Sequence, residues 1–291
     1  MTTASSNAHV GATMSDRAFS AIAAIAKAEA GLVLPAGKMT MVQSRLRKRL
    51  IAIGFTNFDD YVELVSSRDG DGERKSMISA LTTNVSHFFR EGHHFTILRE
   101  QVLPPLLLRA RRGERIRIWS AGCSSGQEPY SIAMCLLTAA PDIARYDLRI
   151  LATDIDEAIL AKAQEAIYSR QQSTGIPEDL QRAYLQPGPS SDTVRIAKPV
   201  RDLVTLRQLN LLGPWPMRHP FDAIFCRNVV IYFDAQTQAA LWPRFHAALS
   251  PQGWLFLGHS ERVSETAHGL FSSMGMTAYR SGPSIATTAT G

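Results

Sequence analysis

Between residues 116 and 258, short β-rich apolar runs alternate with amphipathic helical stretches, and this alternation restricts the fold more than any other feature of the chain. The apolar runs cover 117–120, 148–153, 203–208, 223–226 and 254–258; the helical stretches cover 128–138, 157–166, 177–184 and 235–249. Strands separated by helices run in one direction, because each helical crossover returns the chain to the same end of the sheet. The pattern predicts an α/β domain over 116–280, with a doubly wound, Rossmann-like, mostly parallel sheet. Two runs, 194–196 and 203–208, follow a turn rich in Gly, Pro and Ser and predict a small antiparallel β-subdomain at about 185–208.

Before that domain the periodicity is helical. Ser15 is placed to cap a first helix that Gly31 stops. A second helix, 37–53, carries Val42, Leu46, Leu50 and Ile53 on one face, and two shorter helices follow at 57–66 and 73–82. An all-α domain is expected over 15–81, then a linker over 82–115, with disordered tails at 1–14 and 281–291. The 291 residues are 45 % apolar, enough for a packed core, and no apolar run approaches the roughly 18 residues a membrane span needs. The first dozen residues lack the basic start and apolar run of a secretory leader. Cys123, Cys135 and Cys226 form no CxxC pair, which argues against a zinc ribbon or a disulfide framework. A cytoplasmic protein without direct membrane insertion is expected.

The first strand runs into Gly122, Ser124 and Gly126 and then a helix opened by Glu128, a turn that presents backbone N–H groups at the carboxyl edge of the sheet. The second strand ends in Asp154, placed to accept from a ribose diol, with Asp156 as cap of the next helix. Asn228 and Tyr232 follow the strand at 221–226, at the same edge. These residues point to a nucleoside-type ligand and do not name it.

Five stretches occur in order: TTNVSHFFREGHHF from Thr82, GQEPYS from Gly126, ATDID from Ala152, FDAIFCRNVVIYF from Phe221 and LFLGHSE from Leu255. Together they closely resemble the chemotaxis receptor methyltransferase family, CheR, over nearly the whole chain. The resemblance implies an S-adenosylmethionine-dependent O-methyltransferase that forms glutamate methyl esters on the cytoplasmic helical bundle of chemoreceptors. It implies cofactor contacts from Asn84, Ser86, Arg90, Glu128, Asp154, Asn210, Leu211, Asn228 and Val229, with Arg90 and Tyr232 nearest the methyl group. A monomer is expected.

The net formal charge of +5 is matched by one segment, 38–49, which holds Lys38, Arg45, Arg47, Lys48 and Arg49 and no acid. Such a run is commonly a solvated face; the resemblance makes it a docking surface for acidic receptor helices, centred on Arg45 and Arg49. The loop 186–193 reads as shorter than in members that capture a receptor's C-terminal peptide, which favours direct recognition of the helices. His87, His93 and His94 have no acidic or cysteine partner at ligand spacing, so no metal is expected. On the residues alone, a methyltransferase of RNA or another protein and a non-catalytic cofactor-sensing adaptor stay open. Against nucleic acid, the basic helix has no interleaved aromatics. An NAD-dependent dehydrogenase lacks its full glycine fingerprint.

Overall fold

The structure, a computed structural model, describes residues 13–282. It divides into two compact units between Thr83 and Asn84.

The first unit is four helices: α1 (Asp16–Ala30), α2 (Met39–Ile53), α3 (Phe58–Ser66) and α4 (Asp71–Leu81). Ser15 Oγ accepts from the Ala18 N–H and caps α1, and Gly31 ends it in the left-handed conformation. Asn57 caps α3 in the same way through Asp60 N–H. Val42, Leu46 and Leu50 of α2 bury fully with Phe19 and Ile22 of α1, Tyr61 and Val65 of α3 and Met77 of α4 to make this unit's core. The segment expected to start α2 at 37 is instead a separate 3-10 turn, Ala36–Lys38.

The second unit begins with α5 (Gly92–Ile97), a π-helical turn and α6 (Leu103–Arg111). Then follow β1 (Ile116–Ala121), α7 (Gln127–Ala139), β2 (Leu148–Asp154), α8 (Glu157–Glu165), β3 (Ile167–Ser169) and α9 (Glu178–Tyr184). After these come β4 (Leu185–Pro187), β5 (Thr193–Ile196), α10 (Lys198–Asp202), β6 (Val204–Gln208) and β7 (Phe221–Cys226). The chain closes with α11 (Ala235–Ala248), β8 (Leu249–Leu257), β9 (Phe271–Ser273) and β10 (Ala278–Ser281).

Seven strands form the main sheet in the order β6-β2-β1-β7-β8-β10-β9. The five strands from β6 to β8 are parallel, and β10 reverses against both β8 and β9. Successive side chains of a strand point to opposite faces. Ile118, Ala223, Phe225 and Phe256 pack into one core with residues of α6 and α7. Trp119, Ile224, Cys226 and Leu257 pack into another with Trp242 and Phe245 of α11. Both faces are therefore covered, as a parallel sheet requires.

Four expectations change. The antiparallel subdomain is β3-β5-β4, spanning 167–196, whereas β6 leaves it and pairs parallel to β2, with Ile150 opposite Val204. A short run such as 203–208 satisfies either sheet on periodicity, and the crossover through α10 decides. Residues 92–111, expected within a linker, are helical, and Phe95, Leu98, Val102 and Leu106 are buried in the core of the second unit. Their apolar periodicity is obscured by adjacent prolines at 104 and 105, which sit in the first turn of α6 directly after the π-helical turn. Of the expected tails, 1–12 and 283–291 lie outside the described residues. Met14 is buried with its N–H on Gln43 Oε1 at 2.8 Å, and Ser281 pairs with Phe271 in the sheet, so both belong to ordered units.

Candidate active site

The site is built at the carboxyl edge of β1, β2 and β7. Parallel pairing brings Ala121 level with Thr153, and the N–H groups of Gly122 and Cys123 both donate to the Thr153 carbonyl at 2.8 Å. The turn after β1 is thereby fixed against the end of β2. Gly122 has φ of 84°, and a Cβ there would lie 2.3 Å from Val229 Cγ2. Only glycine brings the β1 turn this close to the loop after β7.

Asp154 ends β2 with 8 % of its surface exposed. Its Oδ2 accepts the Ser124 N–H at 2.8 Å and its Oδ1 the Asp156 N–H at 3.0 Å. Burial pushes its pKa up while these N–H bonds favour the ionised form. Each carboxylate oxygen has a second lone pair for a hydroxyl donor. Asp156 caps α8 through Ala158 and Ile159, as expected, and its Oδ2 accepts from Asn84 Nδ2 at 2.7 Å. Ser124 Oγ donates to the Asn84 carbonyl at 2.9 Å. Asn84 is therefore bonded to both turns. Ser86 and Arg90, half-buried, lie further along this segment, where Arg90 Nη1 donates to the Val85 carbonyl at 3.2 Å.

Glu128, in the first turn of α7, accepts from Ser120 Oγ at 2.7 Å and from Arg227 Nη1 at 3.1 Å. Burial raises its pKa, opposed chiefly by the Arg227 charge. Arg227 was not singled out from the sequence. Its side chain is 2 % exposed, bridges Glu128 to Glu91 Oε2 at 3.2 Å, and donates to the Arg90 carbonyl. The signal for it was a cation directly after the apolar run 223–226, where burial without partners would be costly. Asn228 is left-handed at φ 59°, and the N–H groups of Asn228, Val229 and Ile231 all donate to Glu261. Tyr232, half-buried, ends the 3-10 turn that follows. Near the end of β2, Leu209 N–H donates to the Asp154 carbonyl, which brings Asn210 and Leu211 beside it; Asn210 Oδ1 accepts from Leu212 N–H.

The groups gathered at this edge are mostly acceptors and carboxylates. That set fits a ligand offering hydroxyl and ammonium donors, such as the ribose and amino-acid ends of S-adenosylmethionine, and it would repel a phosphate.

A family model described as "CheR methyltransferase, SAM binding domain" matches residues 84–280, and one described as "CheR methyltransferase, all-alpha domain" matches 17–82. The chain belongs to the CheR methyltransferase family. It is 46 % identical to a probable chemotaxis protein methyltransferase of Rhizobium etli, over 87 % of this chain and 95 % of the relative. It is 41 % identical to the chemotaxis protein methyltransferase of Escherichia coli, over 91 % of both chains. Chemotaxis protein methyltransferase 2 of Pseudomonas aeruginosa is 38 % identical, over 86 % of this chain and 87 % of that one. As a CheR protein the chain is an S-adenosylmethionine-dependent methyltransferase.

The geometry gives partners to two groups of this CheR protein's other charged residues. Arg45 donates to the carbonyls of Leu81 and Thr82 at 2.7 and 3.0 Å and to Thr83 Oγ1, capping the end of α4. Arg49 forks onto Glu73 at 3.0 and 2.5 Å, and Tyr61 donates to the same carboxylate. The expected centre of the docking patch thus joins α2 to α3 and α4, while Lys38 and Lys48 are exposed. The histidines do have an acidic neighbour: Glu91, His93 and His94 bring one possible ligand atom each within 4.8 Å of one another. The Arg227 guanidinium beside Glu91 already supplies positive charge there. Among the described residues no helix is long and apolar enough to cross a membrane.

Proposed function

We propose that this protein transfers the methyl group of S-adenosylmethionine to glutamate side chains on the cytoplasmic helices of chemoreceptors. The observation that carries the reading is the bonding of the Arg90-bearing segment to the acceptor-lined edge: Asn84 to Asp156 and Ser124, and the Arg90 carbonyl to Arg227. The backbone of the Arg90-bearing segment is thereby tied to the residues of that edge.

The bound cofactor supplies a methyl group on a sulfonium, an electrophile that needs no further activation. Asp154 holds the ribose, Glu128 the amino-acid end, and Asn84, Ser86, Asn210, Leu211, Asn228 and Val229 line the remainder. The Arg90 guanidinium orients the incoming carboxylate by charge-assisted hydrogen bonds, and Tyr232 borders the sulfonium end. A glutamate with an ordinary pKa near 4.3 is ionised at neutral pH, so no general base is required. Catalysis comes from alignment and partial desolvation of the nucleophile. Lys38, Arg47 and Lys48 offer a basic face to the acidic receptor helices, with Arg45 and Arg49 shaping α2 from within. No metal takes part in this scheme.

The test is incubation with labelled S-adenosylmethionine and receptor cytoplasmic fragments, followed by base treatment. Release of the label as methanol is the expected result; a base-stable product refutes carboxylate methylation. Arg90→Ala should lower turnover by about 10²–10³-fold with unchanged thermal stability, the size expected when a charge-positioning donor is removed. Turnover within threefold of wild type removes Arg90 from the mechanism.

A further inference from the structure

Glu261 lies in the turn that follows β8 and has 3 % of its surface exposed. It makes no ion pair with a lysine, arginine or histidine among the described residues; its partners are backbone amides. Oε2 accepts the N–H groups of Gly258 at 2.5 Å and Asn228 at 2.8 Å. Oε1 accepts those of Val229 at 2.9 Å and Ile231 at 3.1 Å. Three of the four donors therefore belong to the loop after β7, thirty or more residues away in sequence. That loop contains the two cofactor-contact residues Asn228 and Val229 and leads directly into Tyr232.

The loop needs such a partner. Asn228 is left-handed at φ 59°, a conformation infrequent outside glycine although asparagine adopts it more readily than most residues. This turn aims successive N–H groups into one concavity, which holds an anion. On the far side of the loop, Gln238 Nε2 donates to the Val230 and Phe233 carbonyls at 2.9 and 3.0 Å, so the 3-10 turn carrying Tyr232 is gripped from both ends. Gly258 completes the fit: a Cβ there would lie 2.5 Å from Asn228 Nδ2 and 2.7 Å from Glu261 Oε2.

We propose that Glu261 is a positioning residue for methyl transfer: its carboxylate fixes the loop 228–232, and with it the register between the cofactor contacts and Tyr232. The proposal rests on the function proposed above. A carboxylate is required because each of its two oxygens must accept two N–H groups. A carboxamide in its place offers one oxygen, and its NH₂ group faces two N–H donors in either orientation.

The experiment compares wild type with Glu261→Gln, measuring thermal unfolding, S-adenosylhomocysteine affinity by calorimetry, and kcat and KM with a receptor cytoplasmic fragment. The expected result is a folded variant with kcat lowered by about 100-fold, S-adenosylhomocysteine bound about tenfold more weakly, and KM for the fragment within about threefold. A folded variant with kcat and affinity both within threefold of wild type overturns the proposal, as does a fall in KM-limited rate alone. Should Glu261→Gln fail to fold, Gly258→Ala decides: it crowds the same carboxylate while leaving the charge in place, and wild-type turnover in that variant overturns the proposal. If wild type itself forms no base-labile ester, the substrate reading fails, while the S-adenosylhomocysteine arm still reports on whether Glu261 holds the loop.

Discussion

Positive charge works in contrasting surroundings in the two units of this protein. In the helical unit Arg45 and Arg49 sit on a half-exposed face of α2, and each reaches a neighbouring helix: Arg45 the carbonyl end of α4, Arg49 the Glu73 carboxylate. In the catalytic unit Arg227 is buried, and it holds Glu91, Glu128 and the Arg90 carbonyl together. The first pair is one set of contacts among many apolar ones. Among the described residues Arg227 alone pairs with two largely buried carboxylates, Glu91 at 10 % and Glu128 at 11 % side-chain exposure, so its removal leaves their charges poorly compensated. A count of arginines treats them alike; burial separates them.

The comparison is broken most severely at Arg227. Arg227→Met keeps an unbranched apolar stem and removes the guanidinium, whose carbon lies 5.8 Å from the centre of the Phe95 ring. It should lower unfolding free energy by about 3–5 kcal/mol in urea titration, because two carboxylates are left buried and uncompensated. Adding Glu128→Gln should recover part of that loss. A loss below about 1 kcal/mol, within the range of an exposed pair, would mean that Arg227 is no more consequential than Arg49.

The same cation acts through pH. Burial, and then the Arg227 charge, lower His94 from its ordinary 6.5 to about 4. Its Nε2 lies 2.7 Å from the Met276 carbonyl and donates to it in the neutral form. The unfolded chain takes up this proton at higher pH than the folded one, so the contribution is complete above pH 6.5 and is lost as pH falls through about 4. The ceiling is about 3 kcal/mol. Glu91 follows at lower pH: burial raises its pKa, but Arg227 and the His259 hydrogen bonds outweigh it and hold it at about 2. Its contribution persists above the ordinary carboxylate value and disappears as pH falls through about 2. Urea midpoints should decline from pH 6.5 to 4 in wild type, and His94→Gln, which keeps a donor for Met276, should flatten that decline. An unchanged slope in the variant would assign the pH dependence elsewhere.

The strand–helix alternation made the parallel sheet legible because periods of 2 and 3.6 are local properties of the chain. Asp156 as a cap was equally local, since a cap bonds residues two and three positions on. What sequence reading missed are contacts between distant segments. Glu261 bonds to 228–231 and Arg227 to 90 and 128, and no spacing rule links those positions. The β6 assignment failed for the same reason: the strand pattern of 203–208 was visible, but its partner was decided by the crossover through α10. The basic helix shows the converse. Its charge was plain in the sequence, and only the positions of Glu73 and the α4 carbonyls separate the arginines that hold the unit together from the lysines that face solvent.

Within the helical unit, Arg49→Ala should lower stability by about 1–2 kcal/mol, less than Arg227→Met, because the Arg49 side chain is 32 % exposed and water screens part of the pair. Arg49→Lys should restore little, since an ammonium cannot reproduce the two-bond fork onto Glu73. Equal melting temperatures for wild type and Arg49→Ala would show that Glu73 and Tyr61 suffice to join α3 and α4 without it.

The smallest effect belongs to the exposed lysines. Lys38→Glu with Lys48→Glu should raise KM for the receptor fragment about threefold at low salt, through loss of steering toward an acidic partner. S-adenosylhomocysteine affinity and thermal stability should not move. The difference should fade near 0.5 M salt, where the screening length falls to about 4 Å. Arg49→Ala provides the contrast that gives this measurement its meaning. If the lysines carry docking, the folded arginine variant has the smaller KM effect despite the larger loss of stability. If Arg49→Ala, fully folded, raises KM more than the double lysine reversal, then the arginines dock the receptor as well as hold α2, and the division between structural and docking charge on this helix collapses.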